Sequence, residues 1–180
     1  MTLLRRIAII GSSGSGKSTL GKQLADLFGT IHVELDALHW LPDWQMENTD
    51  IFRQKVTDAL SGERWVVDGN YSKVRDVVWS RADTIVWLDY PLRIVYWRLF
   101  WRTMKRTLLR ENLWESGNTE SLYNQFMTRD SLFVWAWTSK ARQQKMYPEL
   151  LSQPEYAHLT VYKFRYPKQT AQWLITHIGE

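Results

Sequence analysis

The chain has 180 residues, a net charge of +4 and no cysteine. That suits one domain with an ordinary core and excludes disulfides and thiolate chemistry. No uninterrupted apolar stretch approaches the ~18 residues needed to span a bilayer, and the short N-terminal apolar run is not a signal sequence, so a cytoplasmic protein with a mild preference for anionic ligands is expected.

In chain order, Ile7, Ala8, Ile9 and Ile10 form a short apolar run suited to a buried parallel strand. Residues 11 to 18 then read Gly-Ser-Ser-Gly-Ser-Gly-Lys-Ser, matching G-x-x-x-x-G-K-[ST] without a mismatch. Glycines in such a loop let the backbone curl so that successive N–H groups point inward at an anion. Lys17 can reach β/γ-phosphate oxygens, and the Ser18 hydroxyl can meet Mg²⁺. The plain alternative is a flexible Gly/Ser linker. It is disfavoured because the motif follows a strand and opens a helix, in which Leu20, Leu24, Leu27 and Phe28 share one face before Gly29 stops it. Gly11, Ser12, Ser13, Gly14, Ser15, Gly16, Lys17, Ser18 and Thr19 are therefore the candidate nucleotide-binding residues.

The second strand is expected at about Ile31 to Leu35. The helix after it has Thr49 as its cap, Phe52, Val56 and Leu60 inside, and Gly62 as its terminator. Trp65, Val66 and Val67 make a third strand ending at Asp68, and Ser72 can cap a short helix carrying Val74, Val77 and Val78. Thr84 to Leu88 is the fourth strand, closed by Asp89 and Pro91. In the long helical region that follows, Ile94, Trp97, Trp101, Met104 and Leu108 form the expected buried stripe, with Arg98, Arg102, Arg106 and Arg110 along another side. A loop at Glu115 to Glu120 and a second helical stretch from about Ser121 to Leu151 come next. Thr160 to Phe164 is the fifth strand, and Pro167 opens a last helix whose Ala171, Leu174, Ile175 and Ile178 face inward. Strands alternating with helices point to parallel α/β architecture.

Ligands of open parallel sheets sit beyond the carboxyl ends of the strands, where Asp36, Asp68 and Asp89 fall. Asp68 is the better candidate for a carboxylate that holds Mg²⁺ through its water shell, against the alternative of a turn residue in Asp68-Gly69-Asn70. Asp36 can orient an acceptor hydroxyl or take its proton, and can equally cap a helix. Asp89 reads as structural, and His39 as a packed or surface residue.

Gly11 to Ser18, the apolar-Asp-Gly at Asp68-Gly69 and the Leu88-Asp89-x-Pro91 close together resemble the adenylate-kinase-type P-loop kinases. In that superfamily the Asp-x-Pro is followed by a helix carrying Arg-x-x-x-Arg, the spacing at which Arg98 and Arg102 stand. The resemblance implies that both arginines help hold ATP. It is closer still to a small bacterial branch labelled DNA-topology-modulation-like. The pieces that carry this are Leu35-Asp36-Ala37-Leu38, Val67-Asp68-Gly69-Asn70-Tyr71-Ser72 and Arg81-Ala82-Asp83-Thr84, with Leu113-Trp114, Gly117-Asn118, Glu120 and Arg129-Asp130-Ser131. The fold implied is a three-layer P-loop sandwich: a five-stranded parallel sheet, order 2-3-1-4-5, with helices on both faces. It implies one kinase domain over residues 1–180, with a helical lid-like insertion at about 93–150. Adenylate kinases read Asp-Gly-Phe-Pro-Arg where this chain reads Asp68-Gly69-Asn70-Tyr71-Ser72, so the arginine that grips the AMP phosphate is missing there. Arg53, Arg75 and Arg81 are the candidates to replace it.

Ten basic residues between Arg93 and Lys145 stand against four acids. They can form a lid whose arginines neutralise a transferring phosphoryl group, a face for nucleic-acid phosphates, or an ordinary solvated surface. The lid is favoured, because Gly117-Asn118 offers a hinge. The reading is thus an ATP- and Mg²⁺-dependent phosphotransferase acting on a nucleotide or other small-molecule acceptor. Lys17, Asp36, Arg102, Arg106 and Arg129 are its catalytic candidates, Arg98 lies on ATP, and Ser18 and Asp68 are on the metal. The alternative is a nucleic-acid-associated P-loop ATPase or regulatory protein affecting DNA topology. A GTPase switch is disfavoured, since no Asn-Lys-x-Asp is present.

Overall fold

The computed structural model describes the backbone of residues 4–109 and 132–178 and the side chains of 4–105 and 136–176. Its centre is a five-stranded parallel sheet of β1 (Arg6–Gly11), β2 (Ile31–Glu34), β3 (Trp65–Asp68), β4 (Thr84–Leu88) and β5 (Thr160–Phe164), in the order β2-β3-β1-β4-β5. The helices are α1 (Lys17–Phe28), α2 (Leu35–His39), α3 (Thr49–Ala59), α4 (Arg75–Arg81), α5 (Leu92–Leu109), α6 (Leu132–Leu151) and α7 (Pro167–Ile178).

Side chains alternate across a strand, and here both faces are covered, so the central strands are apolar through consecutive positions, with the polar Arg6, Asp68 and Thr84 only at their ends. Ile7, Ile9, Val66, Val86 and Leu88 pack with Leu20 and Leu24 of α1, Val95 and Leu99 of α5 and Trp173 of α7. Ala8, Ile10, Trp65, Val67, Ile85 and Trp87 pack on the other side with Phe52 and Val56 of α3, Trp79 of α4 and Tyr147 of α6. Asp68 and Gly11 thereby finish at neighbouring strand ends, because Ile9 pairs with Asp68 and Gly11 with Leu88.

Several local expectations shift. β2 stops at Glu34, and Leu35 already belongs to α2, buried against Gly69. Asn48, rather than Thr49, caps α3: its Oδ1 accepts from the Asp50 and Ile51 amides at 2.8 and 3.4 Å, the geometry that satisfies first-turn donors. That helix ends at Ala59 with Leu60 as its cap, before Gly62 is reached. Ser72 lies inside a 3₁₀ turn (Ser72–Val74), and α4 begins after Val74 with no side-chain cap.

The largest correction is the phase of α5. Trp97 and Trp101 are 64% and 54% exposed, while Val95, Leu99 and Thr103 form the buried stripe. The cause is close packing against the loop after β1. A Cβ on Gly14 would lie 2.5 Å from Leu99 Cγ and 3.1 Å from the Val95 carbonyl oxygen, an approach with no room for an indole. In α7, likewise, Thr170 and Trp173 are buried, whereas Ile175 is exposed. The expected loop at 115–120 and the first part of the second long helix lie outside the described residues.

Candidate functional site

Gly11 to Gly16 join β1 to α1, and Gly14 and Gly16 take φ of 77° and 96°, a region other residues rarely enter. Gly16 is the N-cap of α1 and contributes no side chain, and the first turn holds no acid. The first-turn N–H groups, at the positive end of the helix dipole, are therefore left to an anionic ligand. Lys17 Nζ folds back to donate to the Ser12 carbonyl oxygen at 3.3 Å.

Behind this loop, Asn70 holds Gly11 from both sides. Its Oδ1 accepts from the Gly11 amide at 3.2 Å, and its Nδ2 donates to the Gly11 carbonyl. The link crosses from the end of β3 to the end of β1, fixing where the loop departs. Gly69 permits the turn at φ 143°.

A cleft of about 630 Å³ opens over the loop, a size that takes a small-molecule ligand. Ser13, Gly14, Ser15, Gly16, Lys17, Ser18 and Thr19 line it; Gly11 and Ser12 are buried beneath. Arg98 and Arg102 reach in from α5, Asp36 from α2 and Asp68 from β3. Arg98 Nη1 donates to the Ser15 carbonyl oxygen at 2.7 Å, and its guanidinium lies 5.3 Å from the centre of the Tyr90 ring. The arginine side of α5 is thus the cleft-facing side and the tryptophan side the outward one. Arg129 and the Arg106 side chain lie outside the described residues.

Ser18 Oγ donates to Asp68 Oδ1 at 3.3 Å, and Asp68 is only 3% exposed. These are hard oxygen donors of the kind Mg²⁺ prefers. Among the described residues no group of three or more His, Cys, Asp or Glu is arranged to cage a metal. A cation here fits if phosphate oxygens and water complete its shell, as is usual for Mg²⁺.

Asp36 falls in the first turn of α2, whose N-cap is Glu34, so it is not the cap. Its Oδ1 accepts from the Tyr71 hydroxyl at 2.6 Å. Burial, and then the charge of Asp36, push the Tyr71 hydroxyl far above its ordinary range, which keeps it protonated as a donor. His39 is buried against the rings of Phe52 and Tyr71, with centroids at 4.8 and 4.4 Å. Burial, and then Lys73, lower its pKa.

The three candidate replacement arginines separate cleanly. Arg53 forks onto Asp76 at 2.9 and 2.6 Å, and Arg81 donates to the Ser61 carbonyl oxygen at 3.1 Å. Arg75 lies over the rings of Trp79 and Tyr147, at 5.5 and 5.9 Å, and lines a small cavity with Gly69, Asn70 and Tyr71. Asp89 is structural in its contacts: it accepts from Lys140 and Gln144 of α6 and pairs with Lys163 of β5 at 3.2 Å. Burial pushes its carboxyl up, but those donors outweigh burial and hold it below the usual range.

Sequence reasoning missed His32, Asn70 and Tyr71 as site residues. His32 Nε2 lies 2.8 Å from Asp68 Oδ2. Only Asn70 and Tyr71 carried a signal, by standing where the related kinases place other residues.

A family profile described as an AAA domain (AAA_28) matches residues 6–149. The uncharacterized protein YqaC of Bacillus subtilis (strain 168) is 31% identical over 104 residues, covering 57% of this chain and 58% of that protein. Chloroplastic shikimate kinase 3 of Oryza sativa subsp. japonica is 31% identical over 103 residues, 49% of this chain and 36% of that one. The matches thus span little more than half of one curated relative and about a third of the other. Among solved structures, shikimate kinase from Acinetobacter baumannii in complex with shikimate superposes with a TM-score of 0.58 at 18% identity, covering 98% of this chain and 93% of that one.

Proposed function

The chain belongs to the AAA domain family, and we propose that it is a phosphotransferase moving the γ-phosphoryl group of ATP to a small-molecule or nucleotide acceptor. The observation that carries this reading is that Asp36 shares one cleft with the phosphate loop, Arg98 and Arg102. Asp36, held by a protonated tyrosine, stands where it can orient the hydroxyl that attacks the γ-phosphorus. The partial similarity to a shikimate kinase adds support.

In the proposed reaction, the loop amides and Lys17 hold the β/γ-phosphates, and Arg98 steadies the nucleotide between Tyr90 and the loop. Ser18 and Asp68 would hold Mg²⁺, which when bound with ATP would supply charge neutralisation for the transferring phosphates. Asp36 orients an acceptor hydroxyl and takes its proton as the acceptor oxygen bonds to the γ-phosphorus and ADP leaves. Arg102, with Arg106 and Arg129 as further lid candidates, offsets the charge spread over the transferring group. An arginine so presented is worth ~10³–10⁵ in rate. Arg75, on the acceptor side, is the proposed replacement for the missing AMP-phosphate arginine. Among the described residues no helix is long and apolar enough to cross a membrane, and we place the enzyme in the cytoplasm.

One observation favours the second reading, a nucleic-acid-associated ATPase affecting DNA topology. Trp97, Phe100 and Trp101 expose their rings on α5 beside the exposed Arg93 and Lys105, a surface on which bases could stack. A screen of nucleotides, nucleosides and small alcohols with labelled ATP separates the two. The kinase transfers label to a member of the panel without DNA. No transfer to any acceptor, with hydrolysis only when single-stranded DNA is present, replaces the first reading by the second.

A further inference from the structure

We propose that His32 is a positioning residue that holds the Asp68 carboxylate in the orientation needed at the metal, and that Gly21 is glycine to seat its ring. The inference rests on the phosphotransferase reading above and deepens it. Asp68 has two oxygens with different duties: Oδ1 meets the Ser18 hydroxyl at 3.3 Å, and Oδ2 lies 2.8 Å from His32 Nε2. A carboxylate oxygen can only accept, so Nε2 carries the hydrogen and donates. The other ring nitrogen, Nδ1, lies 3.9 Å from Glu34 Oε1, and Glu34 also pairs with Lys22 at 3.5 Å. The imidazole is thus held between two carboxylates, with its side chain 9% exposed.

The sheet register makes this contact possible. Glu34 pairs with Asp68 and His32 with Val66, so all four side chains project from the face that α1 covers. Where α1 crosses that face its residue is Gly21. A Cβ there would lie 2.2 Å from His32 Nε2, 2.6 Å from Cδ2 and 3.0 Å from Cε1. Gly21 sits inside the helix, where glycine is a poorer former than alanine. Space for the ring, rather than backbone freedom, is therefore what this glycine supplies.

With Oδ2 tied to the imidazole, Oδ1 is presented toward Ser18 and the cation shell. Without the tie, the carboxylate can rotate, and the metal-binding arrangement loosens while the phosphate loop stays as it is. Outer partners of this kind typically change metal affinity by 10–100-fold.

The test is calorimetric uptake of ADP with and without Mg²⁺, on the full chain and on H32A, H32Q and G21A, with thermal melting as the folding control. In H32A the gain in ADP affinity brought by Mg²⁺ falls by about tenfold or more, while metal-free ADP binding stays within about twofold of the parent, as expected for an intact phosphate loop. H32Q, which keeps an N–H donor, recovers much of the gain. G21A loses the gain even though alanine favours the helix, an outcome that helix propensity alone would not produce. Should H32A fail to fold, H32Q and G21A decide. An undiminished Mg²⁺ gain in H32A and G21A, or equal losses with and without metal, overturns this inference alone. Parent protein that takes up ADP under neither condition overturns the phosphotransferase reading, and this inference with it.

Discussion

At the phosphate-loop end of the cleft, the groups that face the ligand are mostly main chain: the amides opening α1, set by the left-handed Gly14 and Gly16. At the other end the groups are side chains drawn from separate elements: Asp36 of α2 lines the cleft, Tyr71 after β3 donates to it from behind, and Arg75 of α4 lines a separate small cavity with Tyr71. A main-chain cradle recognises what all nucleoside triphosphates share, so it is generic. A side-chain wall can be rewritten one residue at a time, so in the proposed reaction it is the end to which acceptor choice falls. The two ends should therefore fail differently when altered.

The largest effect is expected from Lys17, the donor-end side chain assigned to the β/γ-phosphates in the proposed reaction. Lys17→Ala should lower kcat by roughly 10³-fold, the scale for removing a donor aimed at developing charge, and should weaken ATP as well. Asp36→Asn should lower kcat for the acceptor by about 10²-fold while calorimetric MgADP affinity stays at the parent value. If Asp36→Asn weakens MgADP as much as Lys17→Ala does, the division between the two ends is wrong. Tyr71→Phe should be milder. It removes one hydrogen bond to a charged group, about 1.5–3 kcal/mol, of which part is recovered by water. A drop of about tenfold in kcat/KM for the acceptor is expected, with slow ATP hydrolysis unchanged; stopped-assay measurement of both products checks it.

The same division governs what could be read before the fold was known. The phosphate loop is contiguous and its function is carried by backbone, so Gly11 to Ser18 announce it; the alternation of β and α segments announces a parallel sheet, whose strand order comes only with the resemblance to the adenylate-kinase-type kinases. Asp68 and Asp36 were legible as carboxylates at strand ends. Their partners were not, because His32 reaches Asp68 across 36 residues, Tyr71 reaches Asp36 across 35 and Asn70 reaches Gly11 across 59. No local periodicity encodes such contacts. The helix α5 misled for another reason. It carries apolar residues on two sides, and period alone cannot choose between Val95-Leu99 and Trp97-Trp101. The choice is made by Gly14, whose bare Cα admits Leu99 and turns Arg98 and Arg102 toward the cleft.

The smallest expected effect is on pH dependence, and it tests whether the acceptor end is the acid-labile one. His39 packs on Tyr71, the residue that holds Asp36, and burial lowers its pKa from 6.5. The unfolded chain gains a proton at that position as pH falls through about 6.5, whereas the folded chain declines it until a lower pH. The unfolded state then binds more protons, so stability falls with falling pH, by at most about 1.4 kcal/mol per pH unit. The lowered carboxyls of Asp76 and Asp89 start from 3.8, so their losses come at lower pH and do not obscure this window. Urea melts between pH 7.5 and 5.5 should show the slope in the parent protein and a shallower one in His39→Phe, whose ring keeps the stacking on Phe52 and Tyr71. An unchanged slope in that variant would move the acid-sensitive group elsewhere and leave the two ends of the cleft equally exposed to pH.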